Sequence, residues 1–175
     1  MLKAGIQGRQ EVMVTEDNSA SALGSGLLEV FATPAMVALM EKTAWMSVAP
    51  YMNDGEGTVG TMLNIKHLAA TPAGMIVWCE SELKEVDGRR LVFHVEAFDE
   101  SGKIGEGEHE RFIVKNEKFM DKALAKKGKI SNSSDGGLRM DGRVLDRTGS
   151  GVVRGLAESF VPAAPTCLTK NFIEI

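Results

Sequence analysis

The sequence is poor in the residues that carry the most recognisable chemistry: two cysteines, Cys79 and Cys167, three histidines and one tyrosine among 175 residues. Two thiols cannot build a disulfide framework, and no His, Cys and carboxylate grouping has ligand spacing, so no metal site is expected and a reducing cytoplasmic setting is. Positive charge is also short. Against 24 Asp and Glu stand 20 Lys and Arg, a net charge of −4, so nothing supplies the broad basic surface that nucleic acid needs. Long apolar runs are missing too. Hydrophobic residues make up 43% of the chain, but charges interrupt them well short of a membrane span, and the start MLKAGIQGRQEV has no signal-like apolar stretch. Phosphate loops and nucleophile elbows are absent: GEGE and GSG read as turns with no helix behind them. What is present is the profile of one ordinary soluble domain, too short for two large ones.

That profile is not uniform. Residues 131–175 open on SNSSDGG, hold 6 of the 19 glycines, and balance five basic residues against five acidic ones. Their apolar residues come in short clusters, VVRGL and FVPAAP, without helix or strand period, which predicts a flexible or loosely packed extension. The whole acidity therefore belongs to a domain over residues 1–130.

Within that domain the hydrophobic period changes twice. Gln10 to Thr15 alternates as a strand, and DNSASALGSG follows as a loop. Thr33-Pro34 then reads as a helix start, with the threonine hydroxyl at the N-cap and proline at the first helical position. From there to about Ala49 the spacing is helical, with Val37, Ala38, Glu41, Ala44, Trp45 and Val48 on one stripe and Met36, Leu39 and Met40 widening it. From Thr58 the period is two, predicting strands at Thr58–Leu68, Met75–Val86, Arg90–Asp99 and Ile104–Lys115, separated by the turn sequences TPAG, VDGRR and DESGK. A short amphipathic helix, Glu117–Lys127, closes the domain. One strand, a long apolar helix and a four-strand meander predict an α+β hot-dog fold, a curved antiparallel sheet wrapped around a long central helix. Two such subunits commonly join edge to edge, so a homodimer or a dimer of dimers is expected.

Three polar residues interrupt this pattern. Glu41 falls on the apolar stripe, where a carboxylate needs a partner, a proton or an exit to solvent at the stripe's edge. Thr33 stands two helical turns earlier, about 12 Å along the axis. Counting by twos from His67 gives Ile65, Leu63, Thr61 and Val59, which turns the imidazole toward the buried face. Each has a plain structural explanation on its own: a helix rotated to bring Glu41 to the edge, an N-cap threonine, a core histidine bonded to a carbonyl. His94, beside Val92, Glu96 and Phe98, and His109, among three glutamates in EGEHER, read as surface or ion-paired residues.

The strings VFATPAMVALME, VGTMLNIKHLAATPAGM, ELKEVDGRRLVFHVEAFDE and IGEGEHERFIV, in this order and spacing, resemble the fluoroacetyl-CoA thioesterase-like family of hot-dog proteins over roughly Gly8 to Phe119. The resemblance implies a catalytic set of Thr33, Glu41 and His67, with Gly60 near the thioester carbonyl and Arg111 on the last strand at the site. It implies hydrolysis of a short-chain or small aromatic acyl-CoA with no cofactor beyond the CoA of the substrate. His67 would act as acid and base, and Glu41 would activate water or attack directly. Thr33 would hydrogen-bond Glu41 or the reacting oxygen, and a backbone N–H near Gly60 would meet the oxyanion. It also implies a site at the subunit interface, with His67 set against Thr33 and Glu41 of the partner subunit. The member specialised for fluoroacetyl-CoA has a phenylalanine on the lid ahead of the central helix; here Asn18–Val30 has no aromatic residue and Phe31 stands alone. An acyl-CoA-binding hot-dog protein without catalysis, and a hydratase or dehydratase on the same fold, use the same residue types. Since CoA is anionic, an acidic protein must hold it locally, with Arg89, Arg90, Lys66 and Arg111 as candidate cations.

Overall fold

The structure, a computed structural model, describes residues 2–131, with side chains described as far as residue 127. The predicted extension over 131–175 lies outside the described residues apart from Ser131. The elements follow the predicted order: β1 (Gln7–Met13), α1 (Thr33–Val48), β2 (Glu56–His67), β3 (Ile76–Asp87), β4 (Arg90–Asp99), β5 (Gly102–Lys115) and α2 (Asn116–Ser131). All strand pairs are antiparallel, in the spatial order β1-β3-β4-β5-β2. The meander β3-β4-β5 is thus contiguous, and β1 and β2 take its two edges. Helix α1 crosses the inner face and touches all five strands.

Alternation on β4 shows why the helix sits there. Leu91, Phe93, Val95 and Ala97 point inward and are fully buried, which is the period of two that a strand buries on one face. Met36, Leu39, Met40, Ala44 and Val48 of α1 complete the core.

The helix is rotated from the stripe that the spacing predicts. Its buried face runs through Met36, Leu39, Met40, Thr43, Ala44 and Val48, while Ala38 and Trp45 are exposed and Glu41 is half-buried at the border. A helix apolar over most of its circumference offers several equivalent faces, and a sheet covers only one of them. The start also differs. Ala32 is the N-cap, extended at φ −74° and ψ 141°, and Thr33 is the first helical residue without a capping bond. Ala32 is tied in place because its N–H donates to Asn18 O at 3.0 Å and its carbonyl accepts from Met36 N at 2.9 Å.

A second correction concerns β2. Opposite β5, Gly60 pairs with Arg111 and Met62 with Glu110, so the ladder skips Thr61. This bulge inserts one residue and reverses the alternation upstream of it. Gly60, not Val59 or Thr61, therefore shares the inner face with His67. Likewise GEGE is not a turn: Gly105 and Gly107 are strand residues of β5, opposite His67 and Ile65. A Cβ at Gly107 would run into the Asn64 carbonyl oxygen and stand 2.7 Å from Ile65 Cα, both backbone atoms of β2.

That contact cannot be relieved by a rotamer change. Gly107→Ala is expected to destabilise the fold by about 1–3 kcal/mol, the range for forced overpacking, read as a lower midpoint in urea or thermal unfolding. A midpoint equal to that of the unaltered protein would show that β2 and β5 can separate freely at this point.

Candidate active site

Two clusters lie on the inner face where α1 passes over β2 and β5. The first is at the start of the helix. Freed from capping, the Thr33 hydroxyl hydrogen-bonds His67 Nδ1 at 2.8 Å. His67 Nε2 is shielded from solvent and has no hydrogen-bond partner among the described residues. The histidine of β2 here engages the threonine of its own chain.

The loop between β1 and α1 closes over this end. Asn18 Nδ2 donates to Met13 O at 2.9 Å, Ala20 N to Val30 O at 2.9 Å, and Phe31 N to Thr71 O at 2.8 Å, which fastens the loop to the turn after His67. Phe31 faces inward and is 1% exposed, whereas Leu27 and Leu28 at the tip are 95% and 69% exposed.

The second cluster lies two turns along α1. Glu41 reaches down over Gly60, where an added Cβ would stand 2.5 Å from Glu41 Oε1 and 3.2 Å from His109 Cε1. The room left by the missing side chain is thus taken by the carboxylate. Beside it, His109 is fully buried, with Nε2 4.0 Å from Glu41 Oε1. Its Nδ1 lies 2.9 Å from Met62 O. Arg111 is also buried and commits all three guanidinium nitrogens: Nε donates to Thr58 Oγ1 at 2.9 Å, Nη2 to Thr58 O at 2.8 Å, and Nη1 meets His109 Nε2 at 2.9 Å. Burial holds the His109 pKa below its ordinary value. The Met62 carbonyl and Glu41 pull it up, and Arg111 pushes it down. The ring is accordingly neutral at pH 7.

The structure thus joins Thr33 to His67 and sets Glu41 over Gly60 beside the His109–Arg111 pair, and records no hydrogen bond or ion pair between the two sets. Sequence reasoning missed His109, which is neither a surface residue nor a partner of the glutamates beside it in EGEHER. The signal available was parity: His109 and Arg111 are two apart on one strand, so a buried Arg111 carries His109 inward with it. His94 is partly exposed near Glu96, at 3.6 Å, as expected. Two of the cations suggested for CoA are occupied, since Arg111 is buried and Arg90 binds Glu110 at 2.5 Å and Glu85 at 3.1 Å. Arg89 and Lys66 remain exposed. Cys79 is buried in the core and its thiol is pushed up to about 11 by burial, which removes it as a nucleophile. Among the described residues no His, Cys, Asp and Glu grouping is suited to a metal ion, and no helix is long and apolar enough to cross a membrane.

Comparison with known proteins identifies the family. The family model described as fluoroacetyl-CoA-specific thioesterase matches residues 14–117, more than half of the chain. The fluoroacetyl-CoA thioesterase of Streptantibioticus cattleyicolor is 47% identical over 98 residues, covering 56% of this chain and 70% of that one. A solved structure of the fluoroacetyl-CoA thioesterase FlK is similar with a TM-score of 0.69 at 37% identity, over 72% of this chain and 98% of its own. A thioesterase superfamily member from Thermus thermophilus also reaches 0.69, at 27% identity, over 74% and 96%. The chain belongs to the fluoroacetyl-CoA-specific thioesterase family, and is a thioester hydrolase of the hot-dog fold.

Proposed function

We propose that the chain hydrolyses a short-chain or small aromatic acyl-CoA to the free acid and CoA, in a homodimer whose sites combine residues of both subunits. The observation that carries this reading is the pairing of a buried, unpartnered His67 Nε2 with a Thr33 hydroxyl at a helix start, together with a carboxylate held over a glycine. Hydrolysis needs an oxygen nucleophile made reactive at the carbonyl carbon, a donor for the oxyanion, and a proton for the departing thiolate. Glu41 activates the attacking water or itself forms a transient anhydride, and His67 protonates the CoA sulfur, with Thr33 orienting the ring. The positive end of α1 at Thr33 favours the negative charge that develops on the carbonyl oxygen.

The dimer follows from reach. Thr33 and Glu41 are about 12 Å apart along one helix, too far for both to touch one carbonyl group. β2, which carries Gly60 and His67, is an edge strand, and Trp45 and Met46 of α1 leave apolar surface exposed. Pairing of two such edges about a two-fold axis sets Thr33 and His67 of one protomer against Glu41 of the partner subunit. For the acyl group, the lid presents Leu27 and Leu28, and its neighbouring aromatic residue, Phe31, is locked in the core. This supports general small-acyl specificity in preference to fluoroacetyl selection. The CoA phosphates meet exposed cations, for which a groove of about 610 Å³ beside α2, lined by Arg89, Lys115, Lys118 and Lys122 against the single carboxylate Asp121, is available.

Release of free thiol from a panel of acyl-CoAs tests the activity. His67→Ala is expected to lower kcat by at least about 100-fold with little change in the unfolding midpoint. Glu41→Gln is expected to do the same, and unchanged turnover in that variant would remove Glu41 from the reaction. The shared site has its own test. Mixed from unfolded chains, His67→Ala and Glu41→Gln are expected to recover about a quarter of wild-type activity, because half of the dimers are mixed and each mixed dimer has one intact site. No recovery from a mixture confirmed to be dimeric would place each site within one chain.

A further inference from the structure

His109 is buried deeper than any residue assigned to catalysis above, and its partners fix its chemical form. The Met62 carbonyl can only accept, so Nδ1 carries the proton and donates to it at 2.9 Å. The Arg111 guanidinium can only donate, so Nε2 is the bare nitrogen that accepts from Nη1 at 2.9 Å. A proton on Nε2 would cost that bond and set two cations within contact distance. The ring is therefore a neutral acceptor, in agreement with the direction in which burial moves it.

The effect of this acceptor falls on Arg111. Thr58 takes Nε and Nη2, and His109 takes the remaining nitrogen, Nη1. With an acceptor at each of its three nitrogens, the guanidinium is held against rotation. Its charge acts on Glu41, the charged group from α1 that faces this pair, whose Oε1 lies 4.0 Å from His109 Nε2 and directly over Gly60. A histidine free to protonate would instead pair with Glu41 itself and draw the carboxylate away from the space above Gly60.

We propose that His109 is a positioning residue: through Nε2 it locks Arg111, and the locked pair holds the Glu41 carboxylate over Gly60 in the orientation that acts on the thioester. This rests on the reading that Glu41 takes part in hydrolysis. The two short amide substitutions separate the ring's two bonds. His109→Gln places a carbonyl oxygen near the position of Nε2 and keeps the acceptor for Arg111. His109→Asn places its amide near Nδ1, keeps the donor for Met62 O, and cannot reach Arg111. His109→Phe keeps the volume and neither bond.

With thiol release as the assay, His109→Gln is expected to stay within about threefold of wild-type kcat. His109→Asn and His109→Phe are expected to lose about 10–100-fold in kcat with KM little changed, the scale of one oriented hydrogen bond to a charged group. Equal losses in the Gln and Asn variants that follow the fall in unfolding midpoint, or full activity in a folded Asn or Phe variant, would overturn the proposal. A measurement on the unaltered protein stands independently of how these variants fold: nitrogen NMR of histidine-labelled protein should show His109 as the neutral Nδ1–H tautomer at pH 7. An imidazolium or an Nε2–H tautomer would refute it. Should Glu41→Gln keep full turnover, the underlying reading of Glu41 fails instead, a result distinct from loss of turnover in Glu41→Gln with normal turnover in every His109 variant.

Discussion

An added Cβ would stand 2.5 Å from Glu41 Oε1 at Gly60 and 2.6 Å from Met36 Sδ at Gly105. Together these close approaches determine how near α1 lies to the β2–β5 edge of the sheet. A helix on a sheet of full-sized side chains is held off by them, and a carboxylate on its flank would then extend into solvent. Here the helix settles onto bare backbone at two points, one under each end of its first three turns. That leaves Thr33 within hydrogen-bond reach of His67 and brings Glu41 against Gly60. The bulge at Thr61 is part of the same constraint, because without it Gly60 would face outward and a side chain would occupy its place. Both histidines and Arg111 are then positioned by strand parity alone.

The architecture was legible because its signals are periodic. Arg90–Asp99 coincides with β4, and the bounds of β2, β3 and β5 shift by no more than two residues, since turns such as VDGRR are punctuated by glycine in left-handed backbone at Gly88. The candidate site was legible only through departures from pattern. Glu41 on an apolar stripe and His67 on a buried parity were anomalies with ordinary explanations, and their order and spacing within longer motifs linked them to one family. Part of the ordinary explanation for Glu41 also holds: the helix is rotated so that this residue lies at the border of the buried face.

What could not be read has a common physical cause. Parity counting assumes an uninterrupted ladder, and a single unpaired residue at Thr61 reverses it with no glycine or proline at that position to announce the change. His109 was misread because its neighbours in sequence, Glu108 and Glu110, point to the other face of the strand. Glu110 binds Arg90 and Thr61 there, at 2.5 and 2.8 Å. Sequence adjacency on a strand brings residues to opposite sides, so the local charge of EGEHER says little about what surrounds the imidazole. The capping role assigned to Thr33 failed for a different reason. The hydrogen bond that the Ala32 N–H donates to the Asn18 carbonyl goes with an N-cap moved by one residue and leaves the hydroxyl unused by the helix.

The two clusters differ in electrostatic character, and that difference orders the chemistry. At the start of α1 the unsatisfied backbone N–H groups present positive charge, which favours any negative charge that develops beside it. Two turns further on, the same helix offers no such field, and the cation there is Arg111, buried and held by Thr58 and His109. In the proposed hydrolysis a thioester carbonyl placed near Thr33 would move its electrons toward the helix start, while the Glu41 carboxylate would lie in the field of the Arg111 guanidinium. In that reading the groups that gain and lose charge would be matched to separate, pre-set fields, and neither field would have to reorganise as the carbonyl becomes tetrahedral. Fixing Arg111 through a neutral histidine serves the same end: a second carboxylate there would cancel the guanidinium charge, whereas an imidazole accepts its hydrogen bond and leaves the charge to act on Glu41.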